Sequence, residues 1–147
     1  MDAKQPVKVF GPGWKVSSNA RTHHNFYGRK LTLHQTARLY NEAHFVLNLK
    51  NADNVIDGLN QRSFDPCACR TPLLHDMVGD LALHFEPGRE LLVFSTPAEF
   101  DAHYNRVCHD ASLRTQLAEN AYRRVLACHT YNHRAETVLF DLQLRGG

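Results

Sequence analysis

Gly58, Asn60, Arg62 and Asp65 are the residues of this chain whose types and spacing best suit chemistry. Arg62 carries a planar guanidinium fork that matches two phosphate oxygens, which suits it to a diphosphate. Asp65 follows three residues later, on the same face of a helix, where a carboxylate can accept hydrogen bonds from vicinal hydroxyls such as those of a ribose. Gly58 and Asn60 lead the loop into that helix, at whose start backbone N–H groups and the helix dipole favour an anion. Each residue also has a plainer reading. Arg62 can be a surface arginine paired with Asp57 or Asp65, and Asp65 an acid that suits a helix N-terminus.

The segment that carries them, residues 57–88, runs from a polar loop through a short helix at 61–69 to a strand at 71–75. α/β proteins build phosphate-and-sugar sites from these parts, at the carboxyl edge of a parallel sheet. Other strands fall at 7–10, 44–49 and 91–94, with a short one at 25–27. A capping box at Thr32–Gln35 starts one helix, and a second helix lies at 78–84. Thr96, Pro97 and Glu99 supply an N-cap, a proline at the first helical position and an acid in the first turn of a third. Two further helices are marked by Leu113, Leu117, Ala121 and Val125, and by Tyr131, Ala135, Val138 and Leu142. Strands alternate with helices, so the fold class is α/β with a parallel sheet of four to five strands and C-terminal helices.

A length of 147 residues is that of one domain able to bury a core. No apolar run approaches the length of a membrane span, and no secretory signal opens the chain, so the cytoplasm is the expected location. The four cysteines, at 67, 69, 108 and 128, show no Cys-x-x-Cys spacing, and the ten histidines lack the i, i+4 pairing of a helical zinc site. His23 and His24 are the nearest approach to one, and no metal or cofactor is expected. Residues 1–40 carry seven bases against one acid and the rest ten bases against fourteen acids, so the charge is +6 followed by −4. A basic end can meet a phosphate-bearing ligand or an acidic partner. A net charge of only +2, without a recognisable binding motif, argues against nucleic acid.

The segments DGLNQRSFDPCACRTPLLHD, LALHFEPGRELLVFST and ENAYRRVLACHTYNHRAETVL resemble the C-terminal domain of GT-B glycosyltransferases. The nearest group is the spore-maturation-protein-like branch of the group 1 transferases. Its usual shape is a DG-N-R-FE-ACG run, an LFEPG(K/R)E turn, and a final helix pair opening with GYRRV-like and HTY-like segments. Residues 10–14 and 39–48 extend the likeness over nearly the whole chain. The resemblance implies a Rossmann-like, three-layer α/β/α domain, 1–147, that binds a nucleotide-diphosphate-sugar donor. An N-terminal domain beyond this chain would then hold the acceptor, with no metal needed at the donor. Arg62 resembles the basic residue near the donor phosphates, and Asn60 lies with Gly58 in the phosphate-side loop. Asp65 stands where the family has a Glu expected to hydrogen-bond the ribose, one methylene shorter here. Gly11 and Gly13 correspond to a turn facing the cleft, and Tyr27 to a place near the stacked base. Arg70 replaces the Gly of the ACG segment. At a positive φ, or close to the ligand, an arginine strains or blocks that position; alternatively Arg70 adds a phosphate contact.

No catalytic base stands out, so this chain is expected to bind donor rather than turn it over alone. The alternative is a non-catalytic interaction module of the same ancestry, with a decayed donor site and the basic first forty residues as its partner surface. A phospho-receiver domain is excluded, since strand 44–49 ends in Leu49-Lys50 and the strand at 91–94 is followed by Ser95.

Overall fold

The structure is a computed structural model and describes residues 7–11, 26–50 and 57–145. The chain divides into two compact units, residues 1–39 and 40–147. Gly13, the His23-His24 pair and loop residues 51–56 lie outside the described residues.

In the N-terminal unit, β1 (Val9–Phe10) and β2 (Phe26–Tyr27) pair in parallel, with Val9 opposite Phe26 and Phe10 opposite Tyr27. The helix α1 (Leu33–Glu42) carries the chain across the boundary at Leu39 and begins at the expected capping box. The Gln35 N–H donates to Thr32 Oγ1 at 3.3 Å, and the Thr32 N–H donates to Gln35 Oε1 at 3.0 Å. Each satisfies a donor that the first helical turn leaves without a backbone partner.

In the C-terminal unit, β3 (Val46–Asn48), β4 (Leu73–Asp76) and β5 (Leu92–Phe94) form a parallel sheet in that order. A sheet of four to five strands was expected; among the described residues this sheet has three, and β1 and β2 pair only with each other. Apolar runs fill the three strands because both faces are covered. Successive side chains point to opposite faces, so Leu73 and Leu74, and likewise Leu91 and Leu92, enter different cores. Leu73 and Leu91 pack with Cys67, Val78, Leu81, Phe85, Ala121 and Val125. Leu74 and Leu92 pack with Phe100, Tyr104, Val107 and Leu117. The unit is thus a Rossmann-like α/β domain with helices on both faces of its sheet.

The stretch 61–69 departs from the single short helix expected. It is a 3-10 turn (Gln61–Ser63) followed by α2 (Asp65–Ala68). Pro66 is the cause: it lacks the N–H that would donate to the Arg62 carbonyl, and its ring crowds that carbonyl. The helix α3 (Leu81–His84) is likewise shorter than 78–84. The helix α4 (Pro97–His109) carries the complete capping box of Thr96 and Glu99, and Asp110 caps α5 (Ala111–Cys128) through the Leu113 N–H at 2.8 Å. The last helix, α6 (Tyr131–Arg145), keeps the period read from the sequence, yet Tyr131, Val138, Leu139, Phe140 and Leu142 are all exposed. Its apolar face has no cover among the described residues. No helix among them is long and apolar enough to cross a membrane.

Candidate functional site

The carboxyl ends of β3 and β4 bring two buried polar side chains together at the edge of a largely apolar sheet. Asn48 and His75 are register partners, each 2% exposed. A cross-strand pair on one face points the same way, and this one points at the loop that follows β3. Ser63, fully buried, meets it from the 3-10 turn: its Oγ is 2.9 Å from His75 Nε2 and 3.1 Å from Asn48 Nδ2. Asn48 Nδ2 also lies 3.0 Å from His75 Nε2 and donates to Asn60 Oδ1 at 3.3 Å. On the other side of the ring, His75 Nδ1 is 2.6 Å from the Asp76 carbonyl oxygen. A carbonyl can only accept, so Nδ1 carries the proton, and the single lone pair of Nε2 is left to accept from the Ser63 hydroxyl, with the Asn48 amide beside it.

Asp76 ends β4 and extends the same edge. Its Oδ2 accepts the Lys50 N–H at 2.7 Å, which fixes where the chain leaves β3. Its Oδ1 is buried without a hydrogen-bond partner, although 3.2 Å from His75 Nδ1, because that ring proton is directed at the carbonyl. Farther along the loop, the Asp57 carbonyl accepts the Asp80 N–H at 3.1 Å. A Cβ at position 79 would stand 3.1 Å from Asp57 Oδ1, so Gly79 permits this close approach of loop to loop. Residues 57–63 are therefore fastened to the sheet edge at Asn48 and His75, and to the turn before α3 at Asp80.

The outward side of the loop is different in kind. Arg62 is exposed and makes no ion pair among the described residues, neither with Asp57 nor with Asp65. Asp65 is half-buried; burial raises its carboxyl above the usual range, partly offset by a hydrogen bond from Gln61. Tyr40 lies close by, its hydroxyl raised first by burial and next by Asp65, and lowered by Arg62. Gly58 and Asn60 are half-buried on the way into the 3-10 turn. Because α2 is only four residues long, little macrodipole is available, and Arg62 is left as the principal positive group of the loop.

Arg70 has a definite role in the fold. Its φ is 54°, the left-handed region. The Arg70 N–H donates to the Cys67 carbonyl at 3.0 Å and the Thr71 N–H to the Pro66 carbonyl at 2.9 Å. Those two bonds are the Schellman closure of a helix, and the residue between them is ordinarily glycine. The guanidinium turns to α5, 4.0 Å from the centre of the Tyr122 ring and 3.4 Å from Glu119 Oε2. In the N-terminal unit, Gly11 has φ 126°, and its N–H donates to the Tyr27 carbonyl at 3.2 Å. Tyr27 is 42% exposed, with its ring stacked on Phe10 at 4.9 Å.

Behind the loop, Phe64 enters an aromatic box. Its ring centre is 5.2 Å from His129, 5.5 Å from Phe85 and 6.1 Å from His84, with the Arg134 guanidinium 5.6 Å above it. The His129 ring donates through Nε2 to the His84 carbonyl at 3.0 Å. Burial lowers both imidazoles below their usual range, assisted by Arg134. Cys67, on the buried side of α2, has its thiol pushed up to about 12 by burial, and so is inert. Among the described residues no three His, Cys, Asp or Glu side chains gather to hold a metal ion.

Asn48, Ser63, His75 and Asp76 escaped the sequence reading, as did Tyr40. A polar residue inside FVLNL and a His-Asp pair closing TPLLHD were the available signals.

The sequence matches the model of the glycosyl transferase-like family over residues 1–139. No curated protein matches it. Among solved structures it is similar to the C-terminal domain of a glycosyl transferase group 1 family protein (LpcC) from Francisella tularensis. The TM-score is 0.59 at 13% identity, over 72% of this chain and 53% of that one, so the chain spans about half the length of that relative. At that identity the likeness bears on the fold; the family match does not distinguish a spore-maturation-protein-like branch.

Proposed function

We propose, because this chain belongs to the glycosyl transferase-like family, that its C-terminal unit binds the diphosphate and ribose of a nucleotide-sugar donor. The observation that carries this reading is the exposed Arg62, without an ion pair among the described residues, on a loop fastened to the carboxyl edge of the parallel sheet. Open α/β sheets bind their ligands at that edge. Arg62 would take the diphosphate through its guanidinium fork, and Asp65 would accept hydrogen bonds from the ribose hydroxyls. The phosphate charge would be met by Arg62 and backbone N–H groups rather than by a metal. Gly58 and Asn60 shape the approach to the phosphates.

Arg70 is assigned to the helix cap and to α5, not to the donor. Gly11, Gly13 and Tyr27 keep the places that the family resemblance gives them, and the proposal does not depend on them. Glycosyl transfer would need an acceptor held by a further N-terminal domain, and no side chain here is assigned to catalysis. Calorimetric titration with UDP, GDP and ADP tests the reading. Binding of at least one, weakened in Arg62→Ala, supports it; no heat from any of the three at millimolar concentration overturns it.

A further inference from the structure

Positions 73 to 75 of β4 read Leu-Leu-His, and on the face of Leu73 the next place belongs to His75. An apolar residue there would continue the core, whereas His75 is buried at 2% exposure with its whole hydrogen-bonding capacity used. One ring nitrogen serves its own strand through the Asp76 carbonyl, and the other serves the loop through Ser63, with Asn48 beside this second nitrogen. Ser63 is the residue between Arg62 and Phe64, so its position sets where the Arg62 backbone stands and from where the guanidinium reaches out. Buried polar networks of this kind fix one geometry, because any other leaves a polar group without water or partner.

We propose that His75 is a positioning residue for Arg62, acting through Ser63 and Asn48 to hold the 57–65 loop in a binding-ready pose before any ligand arrives. The ligand named here rests on the proposed function, but the loop pose is a property of the free chain and can be tested without it. Two kinds of replacement separate positioning from mere bulk. His75→Leu keeps an apolar strand but leaves the buried Ser63 hydroxyl without its acceptor, while the Asn48 amide keeps Asn60 Oδ1 and Ser63 Oγ. His75→Gln keeps an acceptor near the place of Nε2 on a side chain of similar reach.

The test is amide hydrogen exchange on the full chain without ligand, followed by UDP, GDP and ADP titration of the same proteins. In His75→Leu, the Ser63 and Phe64 amides that close the 3-10 turn should exchange about tenfold faster or more, the size set by an unsatisfied buried partner. The amides of β5 and α4 should keep their rates. His75→Gln should restore the loop rates, and nucleotide affinity should follow the loop, falling about tenfold in His75→Leu and returning in His75→Gln. If His75→Leu fails to fold, Ser63→Ala, which leaves the strand untouched, must show the same confined acceleration. Unchanged loop rates, or an equal acceleration across the whole sheet, would overturn the proposal. Confined acceleration in a chain that binds no nucleoside diphosphate would leave the positioning role standing and remove the donor-site reading instead.

Discussion

The inward and outward sides of the 57–65 loop differ in kind. Inward, Ser63 and Asn60 meet Asn48 and His75 in a network where the buried groups find partners within 3.3 Å. Outward, within two residues of Ser63, Arg62 stands exposed and Asp65 half-buried, with no ion pair for either among the described residues. A surface arginine near two aspartates would ordinarily find one of them at little cost. The contrast separates two tasks that a single loop must perform. The buried side defines the shape, and the exposed side keeps its charges available.

That contrast predicts opposite consequences for substitutions a few residues apart. Asn48→Leu should have the largest effect on folding, about 2 kcal/mol in urea unfolding, since it strips partners from Ser63, Asn60 and His75 at once. Arg62→Ala should leave stability within about 0.5 kcal/mol yet weaken nucleoside diphosphate binding about tenfold or more by calorimetry, the worth of a charge-assisted hydrogen bond. A large stability loss in Arg62→Ala would erase the distinction between the two sides. Arg70 offers a third point of comparison. Arg70→Gly and Arg70→Ala both lose the contacts to Tyr122 and Glu119, but only glycine suits a φ of 54°. The glycine variant should therefore be the more stable by about 1 kcal/mol, with nucleotide affinity the same in both.

The pH dependence sharpens the comparison further. Burial raises the Asp65 carboxyl in the folded chain, so the native state holds its proton to a higher pH than the unfolded chain does. Across that interval, above the ordinary aspartate range, stability from this group falls as pH rises, while ribose binding, which needs the carboxylate, grows. Acid should thus weaken nucleotide binding sooner than an ordinary aspartate would, and Asp65→Asn should flatten that limb of a calorimetric pH series. His84 and His129, behind the loop, are shifted the other way. The unfolded chain takes up their protons first, so stability should decline as pH drops below about 6.5, the ordinary imidazole value. His84→Phe with His129→Phe should reduce that decline in thermal unfolding, the smallest of these effects.

What the sequence revealed, and what it hid, divides along the same line. The capping boxes at Thr32 and Thr96 were legible because their hydrogen bonds close over three residues. The outward residues of the loop were legible too, since an Arg and an acid after a strand point to the carboxyl edge of a sheet. The inward residues were not. Asn48 and His75 are 27 positions apart, and their meeting depends on a strand register that neither segment encodes alone. In sequence, each reads as a polar interruption of an apolar run. The left-handed backbone at Arg70 was foreseen only as one alternative, because a φ angle is set by the helix closure around Pro66 and Cys67. The helix expected over 61–69 breaks at Phe64, because Pro66 denies the Arg62 carbonyl its donor, a signal local to the sequence.

The most direct test of the account is a paired calorimetric titration of the parent chain and Arg62→Ala with UDP, GDP and ADP, at matched thermal stability. At least one nucleotide should bind the parent, and Arg62→Ala should bind it about tenfold more weakly or worse. Equal affinity in the two proteins, or no binding to the parent, would contradict it.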